Sequence, residues 1–144
     1  MKSHPRKVLI VDDDQSDVFL LNKMLRKCGV LEVESVGTTY EASKYMVGLC
    51  PFGRRQLPNL IFVGLRMAGM SGFHFISAIK KNPLYSAIPL VALSGSTDPS
   101  DKDNALKSGA DAYYEKVLGA DKLQSTVEKA LRLDDLSEDL VLQH

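Results

Sequence analysis

Residues 7–29 read KVLIVDDDQSDVFLLNKMLRKCG: an apolar run, three consecutive aspartates, then an amphipathic stretch closed by glycine. Lys7 to Val11 has the length and the branched apolar content of a buried strand. From Ser16 to Cys28, Val18, Leu21, Met24 and Leu25 recur at helical spacing, which puts them on one buried face, and Gly29 supplies a residue that ends a helix. A buried strand running at once into an amphipathic helix is the first half of a βαβ unit and predicts a parallel sheet.

Reading outward, the alternation persists. Glu32 to Gly37 is a second strand and Tyr40 to Leu49 a second helix, followed by a long polar connector from Cys50 to Pro58 (CPFGRRQLP). Asn59 to Leu65 (NLIFVGL) is a third strand. After a Gly- and Met-containing loop, Gly72 to Lys81 forms a helix that buries Phe75, Ile76 and Ile79, and Ile88 to Ser94 (IPLVALS) a fourth strand. Pro99 to Ser108 reads as a short polar helix, Ala112 to Lys116 (AYYEK) as a fifth strand and Ala120 to Leu133 as a closing amphipathic helix. Strands alternating with helices in this way imply an α/β fold of the flavodoxin-like, doubly wound kind, a five-stranded parallel sheet with helices on both faces. No repeat or low-complexity linker interrupts it. Residues 1–133 are therefore expected to be one domain, and 134–144, with Leu136, Leu140 and Val141 among acids, an acidic C-terminal tail or helical extension.

Charge and composition narrow the function. The 18 Lys plus Arg cancel the 18 Asp plus Glu, so neither a polyanion nor a membrane surface is attracted by net charge, and nucleic-acid or membrane binding is not expected. With 44% hydrophobic and 25% charged residues, the chain can build an ordinary globular core. No apolar run approaches the roughly 20 residues of a membrane span, and the start, MKSHPRK, is unlike a secretory signal, so a cytoplasmic location is expected. Cys28 and Cys50 lie near the ends of separate helical stretches and read as packing residues. His4, His74 and His144 are too scattered for a zinc site.

Open parallel sheets bind ligands beyond the carboxyl ends of their strands, which here are marked by Asp12-Asp13-Asp14, Gly64, Ser94 and Lys116. Adjacent carboxylates repel and call for a cation, either a hard divalent ion such as magnesium or an ammonium. Lys116 could neutralise these acids or grip a phosphoryl oxygen. Taken singly, each has a plainer reading: acids that favour a helix start, a hydroxyl that opens a turn, a lysine at a solvated edge. Their coincidence at one end of one sheet is what singles them out.

VLIVDDD, NLIFVGLRMAGMSGFHFI, IPLVALSGS and GADAYYEK together resemble the receiver domain of two-component response regulators, over nearly the whole chain. The longer connector around Gly53 to Leu57 is similar to that of the single-domain, chemotaxis-receiver-like subgroup found beside bacteriophytochrome kinases. The resemblance implies that Asp12 and Asp13 are the acid pair that holds magnesium, Asp13 as the direct ligand, with the backbone carbonyl of Arg66 as a further one. It implies that Ser94 is the switch hydroxyl, Tyr113 the aromatic that moves with it and Lys116 the phosphate-contacting lysine. It also implies partners, a sensor histidine kinase or a downstream signalling protein, met through the surface of roughly 99–133, where homodimers also form.

The departures matter as much. The family's phosphoacceptor aspartate falls on Gly64, which has no side chain to accept a phosphoryl group. Losing that carboxylate leaves two facing acids, so Lys116 is expected to pair with Asp12 or Asp13 directly and magnesium to bind weakly. Ala68 and Val117 stand where such receivers carry prolines. Two readings follow: a phosphorylation-independent pseudo-receiver, or an acceptor-site variant of an active one, neither of them an enzyme. The rival enzyme reading is a haloacid-dehalogenase-like phosphatase, because Asp12 to Ser16 loosely fits Asp-x-Asp-x-Thr, with Asp12 as nucleophile, Asp14 as general acid and Ser94 and Lys116 on the phosphate. It lacks a later acid pair at a strand end. A flavodoxin-type electron carrier or a nucleotide site is disfavoured, since three aspartates would repel the phosphate and no glycine-rich phosphate loop follows the first strand.

Overall fold

The computed structural model describes residues 6–49, 57–67, 70–95, 98–116, 124–125 and 127–132, with 49, 66, 67 and 70 as backbone only. In chain order the elements are β1 (Lys7–Val11), α1 (Gln15–Lys27), β2 (Glu32–Val36), α2 (Thr39–Leu49), β3 (Leu60–Gly64), β4 (Arg66–Met67), β5 (Met70–Ser71), α3 (Gly72–Lys81), β6 (Leu90–Ser94), α4 (Pro99–Ser108) and β7 (Ala112–Glu115). Helical backbone returns at 124–125 and 127–132. Five strands form one parallel sheet in the order β2-β1-β3-β6-β7, the expected flavodoxin-like arrangement.

Period-two alternation in the central strands divides the core. Leu9, Val11, Ile61, Val63, Leu90 and Ala92 face one side with Ala42 and Met46 of α2, Phe75, Ile76 and Ile79 of α3 and Ala105 of α4. Val8, Ile10, Leu60, Phe62, Val91 and Leu93 face the other, with Val18, Leu21, Met24 and Leu25 of α1 and Val127, Ala130 and Leu131 of the closing helix. Because both faces are covered, β3 and β6 are buried from end to end, which is why they read as continuous apolar runs.

Several sequence expectations shift at their edges. The third strand spans Leu60–Gly64 rather than 59–65, the fourth starts at Leu90 rather than Ile88, and the fifth ends at Glu115, one residue before Lys116. Ile88 and Pro89 are buried but precede the strand, Pro89 joining the sheet only through its carbonyl, which accepts from Ile61 N at 3.0 Å, so apolar content overstated the strand. The connector is not polar throughout: Leu57 is buried in the core. The short β4–β5 ladder, two residues a side, was not foreseen. Cys28 is partly buried against the α1 core, as expected. Cys50, Ala68, Val117 and the 134–144 segment lie outside the described residues.

Two local devices set the sheet's ends. Gly109 adopts φ 116° at the end of α4, and a Cβ there would lie 2.9 Å from that of Lys80. This lets Lys80 Nζ reach Asp111 Oδ2 at 2.6 Å and the carbonyls of Ser86 and Ile88 at 3.1 and 2.8 Å, while Leu90 N donates to the same Asp111 oxygen at 2.8 Å. The knot fixes where β6 and β7 start, and so where they end. Gly72, first residue of α3, donates its N–H to Leu65 O at 3.1 Å. A Cβ on Gly72 would stand 2.5 Å from Gly64 O and 3.0 Å from Leu65 Cα, backbone atoms that cannot swing aside. Gly72→Ala should therefore cost about 1–3 kcal/mol and lower Tm by roughly 4–10 °C in a thermal melt; an unchanged melt would show that β3 and α3 can part freely.

Candidate functional site

The acid triplet following β1 divides into three jobs. Asp14 is the N-cap of α1: its Oδ1 accepts from Ser16 N at 3.0 Å and Asp17 N at 3.2 Å. The hydrogen bond from the Asp17 N–H is the main reason its carboxyl is held below the ordinary value. Asp13 is exposed. Asp12 is the buried one, only 2% accessible, fixed by its own N–H donating to Val36 O at 3.0 Å. Its Oδ1 accepts from Asp14 N at 3.0 Å, so the acid that caps the helix also orients the acid beneath it.

Lys116 arrives from the far side of the sheet. Parallel pairing brings Ser94 opposite Glu115, and Lys116 N then donates to Ser94 O at 2.6 Å. From there the side chain passes Gly95, and Nζ lies 2.8 Å from Asp12 Oδ2 and 3.0 Å from Asp17 Oδ2. Burial pulls the Lys116 ammonium's pKa down, but hydrogen bonds and attraction from Asp12 and Asp17 outweigh it and hold the group above 10.5. The expected partner, Asp12 or Asp13, is thus Asp12, joined by an acid that sequence reading passed over. Asp17 sits in the first turn of α1, where an acid already has a reason to be in the helix dipole, so nothing marked it as a partner of Lys116.

Gly64 ends β3 beside Asp12. A Cβ built on it would lie 2.9 Å from Asp12 Oδ2 and 3.0 Å from Asp12 Cγ, so the Asp12 carboxylate occupies the ground over the glycine. Ser94 is buried, and its Oγ donates to Asp101 Oδ2 of α4 at 3.4 Å, a long hydrogen bond. Tyr113 is half-buried against the core on the α2–α4 side of the sheet. Asp12, Ser94 and Lys116 therefore meet at one end of the sheet as expected, Asp17 joins them, and Asp14 is spent on the helix.

The donors that could hold a divalent ion are Asp12, Asp13 and the Arg66 carbonyl. Both Asp12 oxygens are engaged, one by an ammonium and one by an amide, and Gly64 adds no oxygen from a side chain. Among the described residues no three His, Cys, Asp or Glu are grouped to hold a metal ion.

The response regulator receiver domain family matches residues 8–128. KDP operon transcriptional regulatory protein KdpE of Escherichia coli (strain K12) is 34% identical over 125 residues, 87% of this chain and 51% of KdpE. This chain therefore spans about half the length of that regulator. Among solved structures, chemotaxis response regulator CheY4 of Vibrio cholerae is 26% identical with TM-score 0.71, covering 88% of this chain and 99% of CheY4. The Mn(2+)-bound form of response regulator Rcp1, 23% identical with TM-score 0.67 over 87% of this chain and 91% of Rcp1, shares the fold. A family match that runs from β1 into the closing helix, on a sheet of this strand order, means that the chain belongs to the response regulator receiver domains of two-component signalling.

Proposed function

We propose that this receiver carries its signal by protein contact without an aspartyl phosphate at position 64, with Lys116 holding the acids that a divalent ion holds in a phosphorylatable receiver. The observation that carries this reading is the Asp12 carboxylate lying over Gly64 while bonded to Lys116 at 2.8 Å. A phosphoryl group needs a carboxylate in line with the donor phosphorus. Gly64 offers none, Asp12 is locked by two bonds and Asp14 caps a helix. Magnesium, which keeps most of its own water and relies on a few carboxylates, would have to displace the lysine and should bind weakly.

The partner is a sensor histidine kinase or a downstream signalling protein, engaged through the 99–133 surface, on which Leu106 of α4 is exposed. No enzymatic activity is proposed. Two features weigh against the phosphatase reading: Asp14, its general acid, is held ionised below the ordinary carboxyl value, and Asp12, its nucleophile, is tied to Lys116. No helix among the described residues is long and apolar enough to cross a membrane.

Intact mass after incubation with magnesium and a small-molecule phosphodonor tests the reading. This chain should gain no phosphoryl group. In Gly64→Asp the new side chain must push the Asp12 carboxylate aside, which magnesium can then accept; phosphorylation of that variant alone makes Gly64 the sole block, and phosphorylation of neither shows a broader departure. A phosphoryl group on this chain itself would contradict the proposal.

The lysine's role has its own signature. Since the fold raises the Lys116 pKa, its stabilisation is complete below 10.5, the unfolded value, and is lost as pH climbs through the higher folded value. Lys116→Met should destabilise by about 1–3 kcal/mol at neutral pH, chiefly by stranding the buried Asp12. Urea melts of the two forms should stay apart below pH 10.5 and converge as pH rises through the higher folded value. A gap that stays constant across that range would show that the ion pair contributes nothing.

A further inference from the structure

The outer face of α1 presents two large apolar side chains next to three basic ones. Phe19 is 68% and Leu20 45% exposed, and beside them Lys23, Arg26 and Lys27 are all exposed. Arg26 is occupied locally, its Nε donating to Asn22 Oδ1 and its NH1 to Leu31 O. Lys23 and Lys27 have no carboxylate partner among the described residues. At steps of three and four residues, Leu20, Lys23 and Lys27 share one strip of the helix, and Phe19 flanks Lys23.

Residues 134–144, DDLSEDLVLQH, have the complementary pattern. Asp134, Asp135, Glu138 and Asp139 supply acids, and Leu136, Leu140 and Val141 supply apolar groups, with Leu136 to Leu140 and Asp135 to Asp139 each four apart. The segment also starts in the right place. Val127, Ala130 and Leu131, in the last described turn before it, pack in one cluster with Val18, Leu21, Met24 and Leu25 of α1, and Cys28 at the end of α1 lies against the same cluster. From Lys27 back to Leu20 is roughly 10 Å along a helix, and an extended chain covers roughly 3.3 Å per residue, so the segment reaches the whole strip.

We infer that the outer face of α1 is the docking surface for residues 134–144 of the same chain, with Leu136 and Leu140 covering Phe19 and Leu20 and the acids meeting Lys23 and Lys27. Attachment in the same chain keeps the effective concentration high, so modest contacts suffice, and salt weakens them.

Isotope-edited NOE spectra of the full chain test this. Contacts are expected from the Leu136 and Leu140 methyls to the Phe19 ring and the Leu20 methyls. They should be lost in Lys23→Glu/Lys27→Glu, whose changes are confined to solvent-facing positions, and weakened by high salt. In a second variant, Leu136→Asp/Leu140→Asp, amide signals of Phe19, Leu20, Lys23 and Lys27 should move while those of β3 and β6 stay. In a mixture of labelled and unlabelled chains no such contact should cross between molecules. Absence of the contacts in the full chain, or their appearance only between chains, overturns the inference, the second outcome in favour of a dimer.

Discussion

Asp12 is buried at the end of a central strand, and a carboxylate there must be paired or lose its charge. Its partner, Lys116, comes from the far edge of the sheet, so the 2.8 Å pair can close only if β1, β3, β6 and β7 end in register. The backbone bond from Lys116 N to Ser94 O and the Lys80–Asp111 knot at the other end of β7 hold that register from both sides. Gly64 completes the arrangement by having no side chain where the Asp12 carboxylate lies. One ion pair thus links strand order, the glycine at the end of β3 and the chemistry the crevice can support.

Much of this was legible in the sequence because burial on both faces leaves a mark. β1, β3 and β6 appear as unbroken apolar runs, and the acids, Ser94 and Lys116 fall at strand ends by position alone. Weaker signals blurred the edges. Ile88 and Pro89 are apolar and buried yet precede the strand, and Leu57 looked like connector while belonging to the core. Asp17 was missed because its place in the first turn of α1 has a sufficient local explanation, while its bond to Lys116 depends on a residue 99 positions later, which no periodicity reports. The two-residue ladder of β4 and β5 is too short to have any period.

The site also shows how neighbouring like residues are told apart by backbone geometry. Asp12, Asp13 and Asp14 are chemically equal, but the turn from β1 into α1 buries the first, exposes the second and aims the third at the amides of Ser16 and Asp17. Asp14 N in turn binds Asp12 Oδ1, so the cap and the buried pair reinforce one another. Asp17, positioned by the same cap, closes over Lys116. Lys116 Nζ thus lies between two carboxylates, 2.8 Å from Asp12 and 3.0 Å from Asp17, which is the electrostatic basis for treating it as the resident cation of the crevice.

The measurement that bears most directly on this claim is calorimetric magnesium binding to this chain, to Gly64→Asp and to Lys116→Met under one buffer. If Lys116 is the cation that holds Asp12, this chain binds magnesium at least tenfold more weakly than either variant, one regaining a carboxylate and the other freeing one. Binding to this chain as tight as to Gly64→Asp, with no gain on removing the lysine, would contradict it.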